Sequence, residues 1–540
     1  MIINATIFEA IRATANKYPE RNALYFLGKH ITYDALMDKI DMVASGLKKL
    51  GLGPDDVVTI AMPNTFEAVF VFYAVNRIGA IGHMVHPLTP AKQMQRYMEE
   101  TKSKILFLLD SSIAGFATLL EDPEIRIVLA SPVGEFSPVK QFLYRLINRK
   151  KLKLPEAGQD RIIPFKSLYV KISADYPEKQ DPAKTAVYLH SGGTSGEAKT
   201  VELTNLNLNS LAARFPEMLL FEDWKELYVL SVLPMFHGFG LCECIHSMLF
   251  WGGVDALMPK FDAGKTIALL KEGKCHVIIG VPSLFEGLLR HPEFGGEHLK
   301  NLKRCYAGGD YVPTDLKRRF DAVMQQHGTE ARLLEGYGLT EVVAVCTVNT
   351  PKAHNPQTVG KPVSGIEIRI VDPETREAMP VNTSGEVAIA GDTLMKGYLD
   401  DPEATAKAIM VDPEGKRWLL TGDYGFLDAD GYLHFKQRIK RIVKVHGMPV
   451  LPSEIENLLM NIAEIAEVSA VGIPDPEKGH VIKLFIVLNP GVERLHDDDS
   501  IRKLIQMEIS NYAIPKEIVY ISALPRTGLG KIDTRKLETM

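Results

Sequence analysis

The sequence predicts a multidomain protein of mixed α/β and α+β class, in which layered α/β subdomains lead into a β-rich subdomain and then a small α+β domain. Three changes of texture along the chain carry that expectation. Through the first 440 residues, β-rich runs such as 57–62 (VVTIAM) and 105–109 (ILFLL) alternate with helical periodicity, as in 35–50, the pattern of α/β layers. From 358 to 390 the chain turns to short strands with turn signals, 366–370 and then Ser384-Gly385 before 386–389, the mark of a β-rich subdomain. Beyond Lys440, a helix capped at Ser453, strands at 468–471 and 482–488, and a helix over 500–511 make a small α+β unit. The expected domains are therefore 1–439, with its β-rich part at about 355–438, and 440–540.

Length agrees with this division, because 540 residues exceed what one hydrophobic core organises when domains average roughly 150 residues. Hydrophobic residues at 46% and charged residues at 24% are those of soluble packed domains. A formal net charge of −5 gives no global basic field, so nucleic acid is excluded as a partner and any phosphate site must be local. Five cysteines (Cys242, Cys244, Cys275, Cys305 and Cys346) are too sparse for a disulfide framework and fit a reducing compartment.

At the N-terminus, Ile7, Phe8 and Ile11 have the spacing of an amphipathic helix, and residues 1–20 lack the pattern of a signal peptide. The expected location is cytoplasmic. The most apolar run, 68–75, is stopped by Asn76 and Arg77, far short of the roughly 20 apolar residues of a spanning helix. Residues 136–155 stand apart: Lys140, Arg145, Arg149, Lys150, Lys151 and Lys153 accompany Phe142, Leu143, Leu146 and Ile147 at helical spacing. This basic amphipathic stretch reads either as a solvated insertion or as a peripheral membrane contact.

The chemistry begins where the strand-like run 185–190 enters Ser191-Gly192-Gly193-Thr194-Ser195-Gly196-Glu197-Ala198-Lys199 and a second strand-like run, 200–203. Glycines let backbone N–H groups approach phosphate oxygens, hydroxyls donate, and the lysine supplies charge. A Walker A loop needs Lys directly after its last Gly and a helix next, whereas Lys199 comes three residues after Gly196 and a strand follows. Cys242, Glu243, Cys244 and His246 have the residue types of a metal cluster, but residues two apart on a helix diverge and no second pair follows, so they read as core.

Downstream lie Pro234-Met235-Phe236-His237-Gly238-Phe239-Gly240, Tyr306-Ala307-Gly308-Gly309-Asp310, Glu335-Gly336-Tyr337-Gly338-Leu339-Thr340-Glu341, Trp418-Leu419-Leu420-Thr421-Gly422-Asp423, Arg438-Ile439-Lys440 and Leu524-Pro525-Arg526-Thr527-Gly528-Leu529-Gly530-Lys531. In this order the motifs resemble the adenylate-forming superfamily of acyl-CoA synthetases, peptide-synthetase adenylation domains and luciferases, over nearly the whole chain. Fatty acyl-CoA synthetases are the nearest branch.

The resemblance implies ATP, Mg²⁺ and coenzyme A as cofactor and co-substrates, and a role for each matching residue. Ser191, Gly192, Gly193, Thr194, Ser195, Gly196 and Lys199 match the phosphate loop. Thr340 matches a contact to the α-phosphate, and Glu341, with Thr194, the Mg²⁺ site. Gly308, Gly309, Gly336 and Tyr337 match the adenine slot, Asp423 the ribose carboxylate, and Arg438 a neighbouring nucleotide contact. Lys531 matches the adenylation lysine of a mobile C-terminal domain, Lys440 its hinge, and Lys444, His446 and Gly447 the coenzyme A path. His237, Gly238, Phe239, Leu339, Val342 and Val343 match the acid pocket, with Gly238 expected to open space for the acid. Ala198, Thr200 and Arg441 depart from the family's usual Pro, Gly and acidic residue.

Adenylation brings a carboxylate onto an anionic phosphate, so charge must be cancelled where it builds, which is the role expected of Lys531. His237 stands where amino-acid-activating relatives carry Asp, which argues against an α-amino acid. The expected activity is acid–CoA ligation on a medium- or long-chain fatty acid, with an aryl or other bulky apolar monocarboxylate as the alternative acid. Loading of an acyl carrier protein is the alternative reaction. A luciferase-like oxygenase and a non-catalytic sensor are the remaining rivals, and retention of Lys531 and Glu341 argues against the sensor.

Overall fold

The computed structural model describes the chain except residues 1–2, 156–157, 172–175, 177–179, 192–197, 493–494 and 527–531. It divides into two compact units, 1–368 with 389–419, and 369–388 with 420–540. The first is a layered α/β unit and the second is dominated by antiparallel strands, so the mixed multidomain class stands. Sequence texture sets a boundary at 440, whereas contacts divide the chain within the strands Ile366–Val371, Gly385–Gly391 and Arg417–Leu427. The reason lies in pairing. Asp423–Leu427 ladders with Leu433–Arg438, which ties part of the β-rich stretch to the later chain in a way local composition does not record.

The larger unit carries two sheets. One has nine strands in the order Lys361–Pro362, Val345–Val348, Leu333–Gly338, Arg304–Ala307, Val277–Gly280, Tyr228–Ser231, Val254–Leu257, Asn22–Phe26, Lys29–Thr32. Its six central strands are parallel and read as apolar runs such as Val277-Ile278-Ile279, as strands covered on both faces do. The other has eight strands, of which Thr185–His190, Ile81–Met84, Val57–Ala61, Ile105–Leu109, Arg126–Ala130 and Ile162–Pro164 are parallel neighbours.

Helix Phe66–Arg77 contains the most apolar run and is buried on every face. It is a core helix, and among the described residues no helix is long and apolar enough to cross a membrane. The amphipathic helix expected at the N-terminus runs Ile7–Lys17 and starts with a capping box between Thr6 and Glu9, a device that contributes about 1 kcal/mol. The basic segment forms the helix Pro138–Ile147, of which no residue is buried.

In the smaller unit, Val443–Val445, Met448–Val450, Ile465–Asp475 and Gly479–Leu488 pair antiparallel and Glu517–Tyr520 joins in parallel. Ile455, Ile482, Leu484, Ile501 and Ile505 fill its core. The helix expected at Ser453 starts earlier, as Pro452–Leu459, and Ser453 donates from its Oγ to Gln437 Oε1 (3.1 Å) instead of capping. Pro452 explains the shift, since proline suits a first helical position.

Candidate active site

Strands Thr185–His190 and Thr200–Thr204 pair antiparallel, with His190 opposite Thr200. The phosphate-loop motif is therefore the connection of a β-hairpin, as the strand-like run after Lys199 implies. Ser191 N donates to the Lys199 carbonyl (2.9 Å), and Lys199 N to Ser191 Oγ (3.1 Å), closing the base of that connection. Gly192, Gly193, Thr194, Ser195 and Gly196 lie outside the described residues, as does Lys531.

On its other edge, Thr200–Thr204 pairs with Gly397–Tyr398, placing Tyr398 opposite Val201. There Lys199 Nζ lies 4.5 Å from the Tyr398 ring centroid, and the Tyr398 hydroxyl donates to Glu341 Oε1 (3.0 Å). One aromatic side chain thus links the lysine expected on phosphate to the carboxylate expected on the metal. Burial first, and then the Glu341 charge, raise the Tyr398 phenol above its ordinary value, so it remains a donor. Sequence reasoning missed Tyr398. Its Gly-Tyr pair carries no chemistry until a strand brings it to Glu341.

The other elements converge at the carboxyl ends of parallel strands, the usual place for ligands in α/β sheets. Gly308 and Gly309 follow Arg304–Ala307, and Gly336 and Tyr337 end Leu333–Gly338. A Cβ on Gly308 would meet the Phe239 ring at 3.5 Å and the Gly336 carbonyl oxygen at 3.0 Å, so Phe239 and these glycines share one corner. Thr340, Glu341 and Val342 form a single 3₁₀ turn. Val343 follows with φ 70° and ψ −62°, and Ala344 N donates to the Val342 carbonyl (2.9 Å). That is a γ-turn of the strained hand on a buried β-branched residue, a conformation costing about 1–3 kcal/mol.

Gly238 departs from expectation. A Cβ there would lie 1.7 Å from the Val343 carbonyl oxygen, so the backbone of the strained turn fills the space that the glycine leaves. The residue permits a close approach of two backbones and does not open room for an acid. His237 is half-buried, its ring 4.6 Å from Phe236. Leu339 is half-buried while Val342 and Val343 are buried.

Behind the hairpin lies a histidine pair. His190 Nε2 and His83 Nε2 are 2.9 Å apart, and His83 Nδ1 is 3.0 Å from Thr59 Oγ1. Tyr97 stacks on His190 at 3.9 Å. Burial first, and the nearby His237 second, lower His190 to about 4, so the pair is neutral and shares one bridging proton. The quartet Cys242, Glu243, Cys244 and His246 lies in a π-helical segment, Phe239–His246, and Cys242, Glu243 and His246 bond in different directions. Cys242 Sγ donates to the Leu208 carbonyl (3.4 Å), Glu243 Oε1 accepts from Val345 N (2.9 Å), and His246 bridges the Tyr73 hydroxyl and Asn209. Burial raises Glu243 to about 8.

In the smaller unit, Asp423 is fully buried and Arg438 Nε lies 2.8 Å from its Oδ1, while Arg438 Nη1 donates to the Thr421 carbonyl (3.2 Å). Lys440 is exposed in the turn Ile439–Arg441, and Arg441 pairs with Glu456 at 2.6 Å. The basic residue at this departure from the family pattern therefore has a built partner. Lys444 is exposed on its strand. His446 (φ 51°) and Gly447 (φ 78°) form the two-residue connection between Val445 and Met448, where both central residues need positive φ.

Among the described residues, no group of three or more His, Cys, Asp or Glu side chains is arranged to hold a metal ion. A single carboxylate such as Glu341 nonetheless suits Mg²⁺, which is commonly held by one or two carboxylates together with substrate phosphates.

Comparison with known proteins decides the family. The model of the AMP-binding enzyme family matches residues 11–399, and that of the AMP-binding enzyme C-terminal domain matches 454–531. The chain belongs to the AMP-binding enzyme family. Among curated relatives, a long-chain-fatty-acid–CoA ligase of Bacillus subtilis is 29% identical over 541 residues, covering 99% of this chain and 94% of the relative. A 4-coumarate–CoA ligase of Nicotiana tabacum is also 29% identical, covering 91% of this chain and 85% of that one. ATP-bound MatB from Rhodopseudomonas palustris shares the fold with a TM-score of 0.85 at 23% identity, over 99% of this chain and 98% of that one. A benzoate CoA ligase from Burkholderia xenovorans does so at 0.81 and 20% identity, over 99% of both chains.

Within this AMP-binding enzyme the larger unit links Ser191 and Lys199 to Glu341 through Tyr398, and brings Phe239 together with Gly308, Gly309 and Gly336. Asp423, Arg438, Lys440, Lys444, His446 and Gly447 belong to the smaller unit. Besides Tyr398, sequence reasoning missed the His83–His190 pair, whose members lie 107 positions apart.

Proposed function

We propose that the protein is an ATP-dependent acid–CoA ligase. A carboxylate oxygen of the acid attacks the α-phosphorus of ATP, the bond to the β-phosphate breaks, and pyrophosphate leaves. The coenzyme A thiolate then attacks the acyl carbonyl carbon and AMP departs. The observation that carries the reading is the Lys199–Tyr398–Glu341 link at the base of the phosphate hairpin, one residue from Thr340. It holds a cation and a carboxylate on one aromatic side chain beside the hairpin, which supports a site for polyphosphate and its metal there.

In this reading, backbone and hydroxyl groups of 191–196 with Lys199 hold the β- and γ-phosphates, and Thr340 donates to the α-phosphate. Glu341, with Thr194, would hold Mg²⁺, which when bound neutralises phosphate charge. Gly308, Gly309, Gly336 and Tyr337 form the adenine slot, Asp423 takes the ribose hydroxyls and Arg438 orients that carboxylate. Lys531 cancels charge as the acyl–phosphate bond forms. Lys440 is the hinge, and Lys444, His446 and Gly447 line the coenzyme A path. His237, Phe239, Leu339, Val342 and Val343 wall the acid site.

The acid is a medium- or long-chain fatty acid, a reading supported by the Bacillus subtilis relative. The Nicotiana tabacum relative and the apolar walls favour an aryl monocarboxylate as the second reading. The acceptor is coenzyme A, with an acyl carrier protein as the competing thiol. The protein acts from the cytoplasm, in peripheral contact with a membrane through residues 136–155. Pyrophosphate release is measured with acids from acetate to palmitate and with substituted cinnamates, with coenzyme A, with carrier protein and with neither. Lys531→Ala should abolish acid-dependent pyrophosphate exchange and spare thioester formation from supplied acyl-adenylate. Equal loss of both steps in a folded variant refutes the assignment of Lys531, and absence of acid-dependent pyrophosphate release refutes the activity.

A further inference from the structure

Helix Pro138–Ile147 is held to the protein by its polar residues. The Tyr144 hydroxyl donates to Asp110 Oδ1 (2.6 Å), and Gln141 Nε2 donates to the carbonyls of Gly134 (3.1 Å) and Phe136 (2.7 Å). Lys166 Nζ donates to Gln141 Oε1 (3.0 Å), and Lys140 Nζ to the Leu27 carbonyl (3.3 Å). Its apolar residues face outward. Val139, Phe142, Leu143, Leu146 and Ile147 follow one helical stripe and are 68, 65, 49, 60 and 80% exposed. Leu27, beside Lys140, and Leu154 add to the exposed apolar surface. An ordinary surface helix has the reverse orientation, and a contiguous apolar stripe left open marks an interaction site.

The charge around the stripe says what it meets. Residues 136–155 hold six basic side chains and no Asp or Glu. Among the described residues, two acids beside the helix are engaged inward: Glu135 pairs with Lys39 (2.8 Å) and accepts from the Tyr169 hydroxyl (2.6 Å), and Asp110 accepts from Tyr144. Arg149, Lys150, Lys151 and Lys153 follow the helix directly, beside its most exposed residue, Ile147. Nucleic acid would answer the charge and leave five large apolar side chains in water. A second copy of this chain, at net charge −5, would bring the same basic patch to a symmetric contact. An anionic bilayer answers both features, since apolar residues enter the boundary between headgroups and acyl chains while Lys and Arg meet lipid phosphates.

We propose that helix Pro138–Ile147 and the basic residues after it form a peripheral docking surface for anionic lipid, entered by Phe142, Leu146 and Ile147. At roughly 1.5 Å per residue the ten-residue helix is far too short to span a bilayer, so it lies in the interface. The proposal deepens the ligase reading, which supplies its purpose: an acid that partitions into lipid is collected where it is dissolved.

The full chain is sedimented with vesicles of phosphatidylcholine alone and of phosphatidylcholine mixed with phosphatidylglycerol, at low and high salt. Binding is expected to the mixed vesicles only, and to weaken with salt. Neutralising Arg149, Lys150, Lys151 and Lys153 to Gln should lower partitioning by about a hundredfold or more, at about fivefold per charge. Phe142→Ser with Ile147→Ser should abolish it while the basic residues remain. Both variants should ligate a water-soluble acid as the unmodified protein does, which separates failure of docking from failure of the ligase reading. Absence of binding to mixed vesicles, equal binding to both compositions, or a dimer in solution that the serine variant dissociates would overturn the proposal.

Discussion

Replacing Gly238 by alanine tests how tightly the acid-side loop is tied to the phosphate-side turn. A Cβ at this position lies 1.7 Å from the Val343 carbonyl oxygen, and ordinary contact begins near 3.4 Å, so one backbone must retreat by 3.4 − 1.7 = 1.7 Å. Val343 is in a strained γ-turn with little freedom to yield, and it directly follows the turn that carries Thr340 and Glu341. Overpacking of this kind costs about 1–3 kcal/mol of stability. Misplacement of reacting groups by about 1 Å can cost roughly a hundredfold in rate. Acid-dependent pyrophosphate exchange in Gly238→Ala is therefore expected to fall by about two orders of magnitude, with a moderate loss in Tm and no change in acid chain-length preference. Gly273→Ala is the control: Gly273 has φ +67° and nothing within 4 Å of a Cβ, so it should lose about 1–2 kcal/mol of stability and keep full activity. Wild-type exchange and Tm in Gly238→Ala, or a shift towards shorter acids without loss of rate, would refute the reasoning.

Three further outcomes follow from the same geometry. Glu341→Gln keeps the acceptor for Tyr398 but removes the charge, so turnover should fall and the Mg²⁺ concentration for half-maximal rate should rise; an unchanged metal dependence excludes Glu341 as a ligand. Arg438→Ala removes the cation beside fully buried Asp423 and should cost about 2 kcal/mol, below the range for a fully buried pair because Arg438 is 43% exposed; a KM for ATP and a Tm both unchanged would count against the pair. Burial makes Glu243 hold its proton up to about pH 8 when folded, against 4.5 for an ordinary glutamate, so the folded state binds the extra proton and this group's contribution to stability declines as pH rises from 4.5 to about 8. Glu243→Gln should accordingly gain in Tm relative to wild type across that window, and a difference that does not vary with pH would show that Glu243 is ionised or exposed.

What the sequence made legible was whatever depends on neighbours in the chain. The strands 57–62, 105–109 and 185–190, the helix from 35 and the departure from Walker A geometry each follow from local pattern, and the structure has them as Val57–Ala61, Ile105–Leu109, Thr185–His190, Tyr33–Lys49 and a β-hairpin. The quartet at 242–246 was legible as core for the same reason, because its members diverge whatever they contact. Tyr398 was not, since what distinguishes it is contact with Lys199 and Glu341, both distant in the chain. Neither was the function of Gly238. A glycine beside a binding motif reads as empty space until the opposing backbone is known, and here that backbone is a buried valine at φ 70°, a conformation no propensity anticipates.

The same limit explains the basic segment at 136–155, where composition allows two readings and orientation separates them. An amphipathic pattern states that a helix has an apolar side but not which way that side points. Ordinarily the core decides, because burying five large side chains contributes several kcal/mol. Here the inward positions are taken by Tyr144 and Gln141, whose hydrogen bonds to Asp110, Gly134 and Phe136 are made only when the apolar stripe faces out. If those anchors set the orientation, Tyr144→Phe with Gln141→Ala should loosen the helix and reduce vesicle binding while every apolar and basic residue of the patch is still present. Faster amide exchange over 138–147 should accompany that loss. Unaltered exchange together with unaltered vesicle binding would show that the apolar face is held outward by something other than its polar anchors.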